Sequence, residues 1–345
     1  MGLGHIKGHT SIRRLIARAV VRGTLPPSLV LTGPDGVGKR RVALAVAEML
    51  NCEAVTAPEA GDPTAFPDAC GECGACQRIA RGVHVDVVII EPGETGAIRI
   101  EAVRAAVDKA AYRPFEGRRR VVIIDEADRL VPEAQNALLK TLEEPPSASV
   151  FLLVTSRPHL LLATVRSRCP ELRFGGLLTD EIADILVTRH QFNATTALAA
   201  AVSGAGSVAR ALETGSDDHI QARDRATALL RALAAAPPPR RRLESGQELG
   251  DDRRGGRSSA AAARETLIRR LRALGTLFRD LQVVSARGDR ACLANADLES
   301  ELTELGRSYD TDRVSRGFAS VERAVHVLTR NANAKLVVDW LALRI

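Results

Sequence analysis

Aromatic side chains are scarce in this sequence, since seven Phe, two Tyr and one Trp make up only 3% of its 345 residues. A core with so few of them relies on Ala, Leu, Val and Ile, which favours helices and buried parallel strands over an aromatic-rich β-sandwich. Long apolar runs are also missing, because no uncharged window approaches the ~20 residues of a membrane-spanning helix. The first residues are not followed by the apolar core of a signal peptide, so we expect a cytoplasmic protein without membrane contact.

The net charge and the cysteine content give further information on the class of protein. The chain has 48 Lys and Arg against 42 Asp and Glu, a formal net charge of +6. This mildly basic balance is compatible with contact to nucleic acid but does not demonstrate it. The six cysteines argue against a disulfide framework in a cytoplasmic protein, because that compartment keeps thiols reduced. Their spacing therefore needs another explanation.

The pattern of apolar runs divides the chain into three predicted domains. Over residues 1–175, short β-branched runs alternate with helical patterns, which indicates an α/β domain with a parallel sheet covered on both faces. Strand signals then stop, and residues 176–215 predict a small helical lid domain. Residues 216–345 predict an all-helical domain, interrupted at 236–259 by a Pro- and Arg-rich stretch that we expect to be a flexible loop. The predicted strands are 28–32, 86–90, 120–125, 150–155 and 171–174.

A glycine-rich loop follows the first predicted strand. Its sequence over residues 33–39 is GPDGVGK, and it stands between a strand and a helix, the context of a phosphate-binding P-loop. Gly33, Gly36 and Gly38 let the backbone turn its N–H groups toward phosphate oxygens. Lys39 adds a full positive charge at the helix N-terminus. We predict that this loop binds a nucleotide such as ATP or ADP.

One position departs from the usual P-loop pattern. The residue after the lysine is ordinarily Ser or Thr, whose hydroxyl binds Mg²⁺. Here it is Arg40, and a guanidinium cannot ligate a cation. We therefore expect poor positioning of Mg²⁺ and impaired hydrolysis, even where a nucleotide binds.

Two acidic residues end the third predicted strand, at the sheet edge where ligands of open α/β sheets bind. Asp125 would lie near a nucleotide-bound Mg²⁺. Glu126 would be the candidate base that polarises an attacking water. The position of this acidic pair, about 85 residues after the P-loop, strengthens the prediction of a nucleotide site.

Four cysteines have the spacing of metal ligands. Cys70, Cys73 and Cys76 are each separated by two residues, and Cys52 precedes them by 18 positions. Gaps of two residues let thiolates converge on one tetrahedral centre, so the pattern predicts a closed structural Zn²⁺ site. An iron–sulfur cluster is the chemical alternative for the same four ligands.

Together these motifs resemble the bacterial clamp-loader subunits of the AAA+ family. The likeness rests on the P-loop, the four cysteines, the acidic box at 125–128, the run NALLKTLEEPP at 136–146 and the triplet Ser167-Arg168-Cys169. It implies an AAA+ domain with a zinc insert, then a lid and a helical collar that joins a ring. Such a five-subunit ring opens the sliding β clamp and places it on primer–template DNA, with ATP at the subunit interfaces.

Two types of clamp-loader subunit share these motifs, the ATP-hydrolysing gamma/tau motor and the delta-prime subunit. The sequence looks like the delta-prime type, because Arg40 replaces the motor's Ser or Thr. In addition, the segment 125–130 lacks the Val-His pair that motors usually carry after Asp-Glu. The resemblance implies a non-motor subunit that assembles with motor and delta subunits in a hetero-pentamer and has weak or no ATPase activity of its own.

The resemblance also implies roles for further residues. Arg168 would be an arginine finger that acts in trans on the ATP site of the neighbouring motor subunit. Thr155 or Ser156 would stand at the sensor position at the end of the fourth strand. Arg210 would match the sensor arginine of the lid domain, and Glu126 would be a vestigial or weak base.

Two other functions remain open from the sequence. A gamma/tau-type motor would hydrolyse ATP with Lys39 and Glu126. Arg40 argues against this function, because a motor needs the hydroxyl of Ser or Thr at that position. A zinc-dependent DNA-binding protein is suggested by the four cysteines. The aromatic side chains that stack on bases are missing around them, however.

Overall fold

The computed structural model describes residues 2–56, 65–93, 95–214, 217–235, 237–250, 260–290, 293–330 and 332–345. The chain divides into two compact units. The first comprises Met1–Glu181 with Gly206–Val208, and the second comprises Ile182–Ala205 with Ala209–Ile345. Among the described residues, no helix combines the length and the apolar character needed to cross a membrane. The division of the sequence into three domains stays a prediction.

A five-stranded parallel sheet lies at the centre of the first unit. Across the sheet the strand order is β2-β3-β4-β1-β5, and every neighbouring pair is parallel. Strands β1, β3 and β4 are buried along their whole length, as continuous apolar runs in a two-sided sheet require. The strands are β1 (Ser28–Thr32), β2 (Val87–Ile90), β3 (Arg120–Ile124), β4 (Ser149–Thr155) and β5 (Glu171–Arg173).

Helices cover both faces of this sheet, as the sequence predicts. Leu29 and Leu31 of β1 belong to one apolar cluster, whereas Val30 between them belongs to a second cluster. This alternation follows from the two-residue period of a strand. The helices of the first unit are α1 (Thr10–Val21), α2 (Lys39–Asn51), α3 (Gly74–Ala80), α4 (Ile100–Ala111), α5 (Pro132–Glu143) and α6 (Ala163–Arg166).

The secondary structure of the second unit, in its described residues, consists of helices joined by turns and loops. Its core contains two of the chain's few aromatic residues, Phe278 and Tyr309, whose rings meet edge to face at 6.1 Å. The helices are α7 (Thr179–His190, which begins in the first unit), α8 (Ala194–Gly204), α9 (Val208–Glu213, whose first residue belongs to the first unit), α10 (Asp217–Ala234), α11 (Pro239–Gly250), α12 (Ala260–Ser285), α13 (Glu299–Leu305), α14 (Thr311–Leu328) and α15 (Ala334–Arg344).

The prediction of a flexible loop over residues 236–259 is wrong for its first half, because 239–250 form helix α11. Leu249 is only 2% exposed. Gly246 packs so closely on α15 that a Cβ atom there would lie 2.7 Å from the Cβ of Ala342. Contacts with a helix some 90 residues away thus order a stretch whose local composition favours disorder. Residues 251–259 lie outside the described part of the chain.

A buried carboxylate fixes the loop before β3. Asp86 accepts hydrogen bonds from the N–H groups of Phe115, Glu116 and Gly117 at 2.8–2.9 Å. Arg120 donates to its Oδ1 at 2.7 Å. Burial alone raises the pKa of Asp86, but these hydrogen bonds outweigh it and lower the pKa to about 2. The ionised carboxylate is therefore the form that holds the loop.

We predict that Asp86→Ala lowers the free energy of unfolding by about 3–5 kcal/mol, because it leaves Arg120 buried without its partner. Asp108→Ala, at an exposed position of α4, is the matched control and should change stability by less than about 0.5 kcal/mol. Urea unfolding of the two variants at pH 7 measures the difference. Equal stabilities would contradict the structural role of Asp86.

The same interaction predicts a pH dependence. Since the pKa of Asp86 in the folded chain is about 2, below the ordinary 3.8, its stabilisation is complete above about pH 4 and is lost as the pH falls toward 2. The wild type should therefore lose more stability than Asp86→Ala over that range.

Candidate functional site

The P-loop forms the turn between β1 and α2. Gly33, Gly36 and Gly38 have φ values of 138°, 74° and 100°, a region that residues with a Cβ atom rarely adopt. At position 33 a Cβ would also lie 2.3 Å from the carbonyl oxygen of Phe174. The backbone of this turn therefore requires the glycines that the sequence analysis singled out.

Lys39 lies at the start of α2 and folds back into the loop. Its Nζ donates to the carbonyl oxygens of Gly33 and Pro34, both at 2.7 Å, and the residue is only 6% exposed. Burial lowers the pKa of Lys39, while nearby carboxylates, including Asp125, raise it. An ammonium group and a helix N-terminus thus meet at one point, the arrangement that binds phosphate oxygens.

Arg40 connects the carboxyl ends of β2 and β3. Its guanidinium lies 3.2 Å from Oδ2 of Asp125 and forms a second, closer ion pair with Glu91. The other oxygen of Asp125 accepts the N–H of Glu126 at 3.0 Å. Glu91 and Asp125 follow adjacent, in-register parallel strands, which is why they are neighbours. Glu91 could not be singled out from the sequence, where its only signal is an acid directly after a buried strand.

Glu126 has a left-handed backbone, with φ of 46°. Its side chain is 57% exposed and lies 3.5 Å from Arg129. Partial burial of the carboxyl, together with the neighbouring carboxylates Asp125 and Asp128, raises the pKa of Glu126, and Arg129 opposes that shift. The role of Glu126 as a weak base stays a prediction.

Thr155, at the end of β4, is held by Asp128. Its hydroxyl donates to Oδ1 of Asp128 at 2.7 Å and accepts the N–H of Arg157 at 3.0 Å. The Nε of Arg157 donates to the other oxygen of Asp128 at 2.8 Å. The hydroxyl proton of Thr155 is therefore engaged by the acidic box, an arrangement that the sequence analysis did not anticipate. The sensor role of Thr155 stays a prediction.

Arg168 follows the short helix α6 at the surface. Its guanidinium donates to the carbonyl oxygen of Thr164 at 2.9 Å and pairs with Glu143 at 2.5 Å. The side chain remains 34% exposed. Glu143 belongs to the 136–146 run, so the structure joins two of the motifs that carry the family resemblance. The next residue, Cys169, is buried, which raises the pKa of its thiol to about 11.

Arg210, the predicted sensor arginine of the lid, follows the point in the sequence where the chain passes from the first unit to the second. Val208 belongs to the first unit, and its N–H donates to the carbonyl oxygen of Gly36 in the P-loop at 3.0 Å. Arg210 lies on α9 in the second unit. Its role as a sensor arginine stays a prediction.

The structure brings the four cysteines together. The sulfur atoms of Cys52, Cys70, Cys73 and Cys76 all lie within 4.8 Å of one another. Zn–S bonds of about 2.3 Å place the sulfurs of a tetrahedral site roughly 3.8 Å apart, so the cluster has the size and donor set for such an ion. The backbone N–H groups of Cys70 and Cys73 each donate to a cluster sulfur at 3.3 Å.

The thiol of Cys73 has a lowered pKa. Burial raises its pKa, but hydrogen bonds from the backbone N–H of Cys76 and from other groups outweigh this and lower the pKa to about 7. Burial raises the pKa of Cys52 and Cys76. Four thiols held this closely form a site in which a bound cation would favour the thiolates.

A parallel sheet with a P-loop after β1 and a carboxylate after β3 defines the class of the first unit. It is an α/β domain of the P-loop nucleotide-binding type. The second unit contains helices and no strand among its described residues.

Comparison with known proteins finds similarity over the first part of the chain. Residues 8–177 match the family described as DNA polymerase III, delta subunit. The DNA polymerase III subunit delta' of Pseudomonas aeruginosa is 42% identical over 141 residues, and the subunit tau of Escherichia coli is 34% identical over 186 residues. Residues 8–177 of this chain are therefore similar to the clamp-loader subunits of DNA polymerase III.

The sequence matches to delta' and tau cover only part of each protein. The delta' alignment spans 41% of this chain and 40% of that relative, and the tau alignment spans 54% and 26%. A solved Thermotoga maritima structure, described as a DNA polymerase III gamma subunit-related protein, covers 95% of this chain and 96% of its own at 16% identity and a TM-score of 0.40. Because delta' and tau both match, sequence similarity leaves the type of subunit undecided.

Proposed function

We propose that this chain is a delta-prime-type subunit of a DNA polymerase III clamp loader. In this role it assembles with gamma/tau motor and delta subunits in a cytoplasmic hetero-pentamer that loads the sliding β clamp on primer–template DNA. The observation that carries the proposal is the ion pair between Arg40 and Asp125. It joins the two positions that a hydrolysing P-loop enzyme uses to hold Mg²⁺.

The exposure and contacts of Arg168 are consistent with a role in the ATP site of a neighbouring subunit. Its guanidinium is partly exposed and is held by Glu143 and the carbonyl oxygen of Thr164. Arginine has five N–H donors in a fixed planar fork, which suits it to phosphate recognition. A γ-phosphate of an adjacent subunit carries more charge than Glu143 and would compete with it for the guanidinium. Arg168 is thus a trans-acting arginine finger in this proposal.

The alternative is a gamma/tau-type motor that hydrolyses ATP. It is favoured by the 34% identity to the subunit tau of Escherichia coli and by the presence of Lys39 and Glu126. The pairing of Arg40 with Asp125 and of Glu126 with Arg129 opposes it, because hydrolysis needs a held metal ion and an aligned water.

In this proposal the P-loop binds a nucleotide and the cysteine cluster binds a zinc ion. The backbone of residues 33–39, with Lys39, would hold the phosphates of ATP or ADP. The four cysteines would hold one Zn²⁺, which supplies a crosslink between the end of α2 and the start of α3. Four sulfur ligands leave no open coordination position, so the ion has a structural role and takes no part in a reaction.

We predict that Arg168→Ala lowers the ATPase activity of a complex reconstituted with motor and delta subunits, in the presence of clamp and primed DNA. An arginine finger accelerates hydrolysis at the ATP site that it contacts by about 10³–10⁵-fold. The other ATP sites keep their arginines, so the ATPase rate of the complex should fall by the contribution of one site. Arg166→Ala, on the neighbouring turn and also exposed, is the control. Assembly, followed by gel filtration, should be normal for both variants.

Unchanged ATPase activity in the Arg168→Ala complex would contradict the role in trans. A complex that fails to assemble would show instead that Arg168 is needed for the interface.

We predict about one zinc per chain in the purified protein, and its loss in Cys76→Ala, because three remaining sulfurs leave a metal site open. Cys169→Ala removes a buried thiol outside the cluster and should keep its zinc. Metal analysis of the three proteins measures the difference. Zinc that persists in Cys76→Ala, or iron in place of zinc, would contradict the assignment.

A further inference from the structure

Arg40 places a positively charged side chain at the start of α2. The guanidinium of Arg40 bridges Glu91 and Asp125, which follow β2 and β3. Asp125 is mostly buried, with 17% of its side chain exposed, whereas Arg40 and Glu91 are each 47% exposed. One positive group thus stands between two carboxylates at the carboxyl edge of the sheet.

Mg²⁺ does not fit this arrangement. In P-loop enzymes the ion is held by the hydroxyl after the lysine and by the carboxylate at a strand end. Position 40 here offers five N–H donors and no acceptor. Of the two oxygens of Asp125, one accepts from Arg40 and the other from the N–H of Glu126. A divalent cation at this point would also meet the positive charge of the guanidinium at short range.

The P-loop keeps the groups that bind phosphate. Lys39 and the N-terminus of α2 supply positive charge beside the loop backbone. Arg40 uses one nitrogen on each carboxylate, and a guanidinium has further N–H donors that can bind a phosphate oxygen. Anion binding and metal binding, which ordinarily occur together in a P-loop, are therefore separable in this chain.

We propose that Arg40 takes the place of the divalent cation, so that this P-loop binds the phosphates of a nucleoside diphosphate or triphosphate without Mg²⁺. The proposal rests on the nucleotide binding proposed above, and it is independent of the role of Arg168 in trans. It makes Arg40 the residue that sets the metal requirement of the site.

The first test measures the cation position without any nucleotide. Zinc-loaded full-length protein is titrated with Mn²⁺, and bound ion is followed by electron paramagnetic resonance. Arg40→Ser frees both carboxylates and restores a hydroxyl, so this variant should gain one Mn²⁺ site, and Arg40→Ser combined with Asp125→Asn should lose it. The wild type and Arg41→Ser, which changes the adjacent exposed arginine, should lack the site. No gain in Arg40→Ser would overturn the proposal.

The second test measures nucleotide affinity. Fluorescent ADP is titrated in Mg²⁺-free buffer and in millimolar Mg²⁺, without a chelator that would strip the cysteine cluster. The dissociation constant of the wild type and of Arg41→Ser should differ by less than about twofold between the buffers, and Arg40→Ser should bind at least about tenfold more tightly with Mg²⁺.

A wild type that needs Mg²⁺ for binding would overturn the metal-free site. A wild type that binds no nucleotide in either buffer would contradict the nucleotide binding in the proposed function. The Mn²⁺ titration still decides, in that case, whether Arg40 occupies the cation position.

Discussion

The parallel alignment of β1, β2 and β3 is the constraint on which the candidate site depends. Parallel strands end at the same edge of their sheet, so residues far apart in the sequence meet there. The P-loop follows β1, Glu91 follows β2 and Asp125 follows β3. Helix α2 begins at this edge and brings Lys39 and Arg40 to the two carboxylates. The ion pairs of Arg40 are a direct consequence of this topology.

Phosphate binding and phosphate hydrolysis place different demands on such an edge. Binding needs the N–H groups of the loop and the ammonium of Lys39, and both are in place. Hydrolysis also needs a held metal ion and an oriented water, whereas Arg40 is bound to Asp125 and Glu126 lies near Arg129. In the proposed function, Arg168 would support the chemistry of a neighbouring subunit while the site of this chain stays inactive. This difference would distinguish the non-motor subunit from a motor subunit in the proposed clamp loader.

Much of the fold could be predicted because local patterns encode it. The bounds of β1 and α2 agree with the predicted 28–32 strand and the helix that opens at Lys39, since long apolar runs and a P-loop delimit them. The cysteine spacing likewise predicts a cluster that the structure brings together. Helix α11 and the pairing of Glu91 with Arg40 could not be predicted, because both depend on contacts between distant segments. The bond between Thr155 and Asp128 was missed for the same reason.

In the proposed function, this chain does not hydrolyse ATP at its own P-loop. The most direct measurement is ATP turnover, in the presence of Mg²⁺, clamp and primed DNA, by a reconstituted complex whose motor subunits carry inactivating substitutions of their own P-loop lysines. Only the site of this chain is then intact. We predict turnover no higher than the background of the same complex with Lys39→Ala. Turnover of about 1 per second or more, abolished by Lys39→Ala, would contradict the claim and identify the chain as a motor.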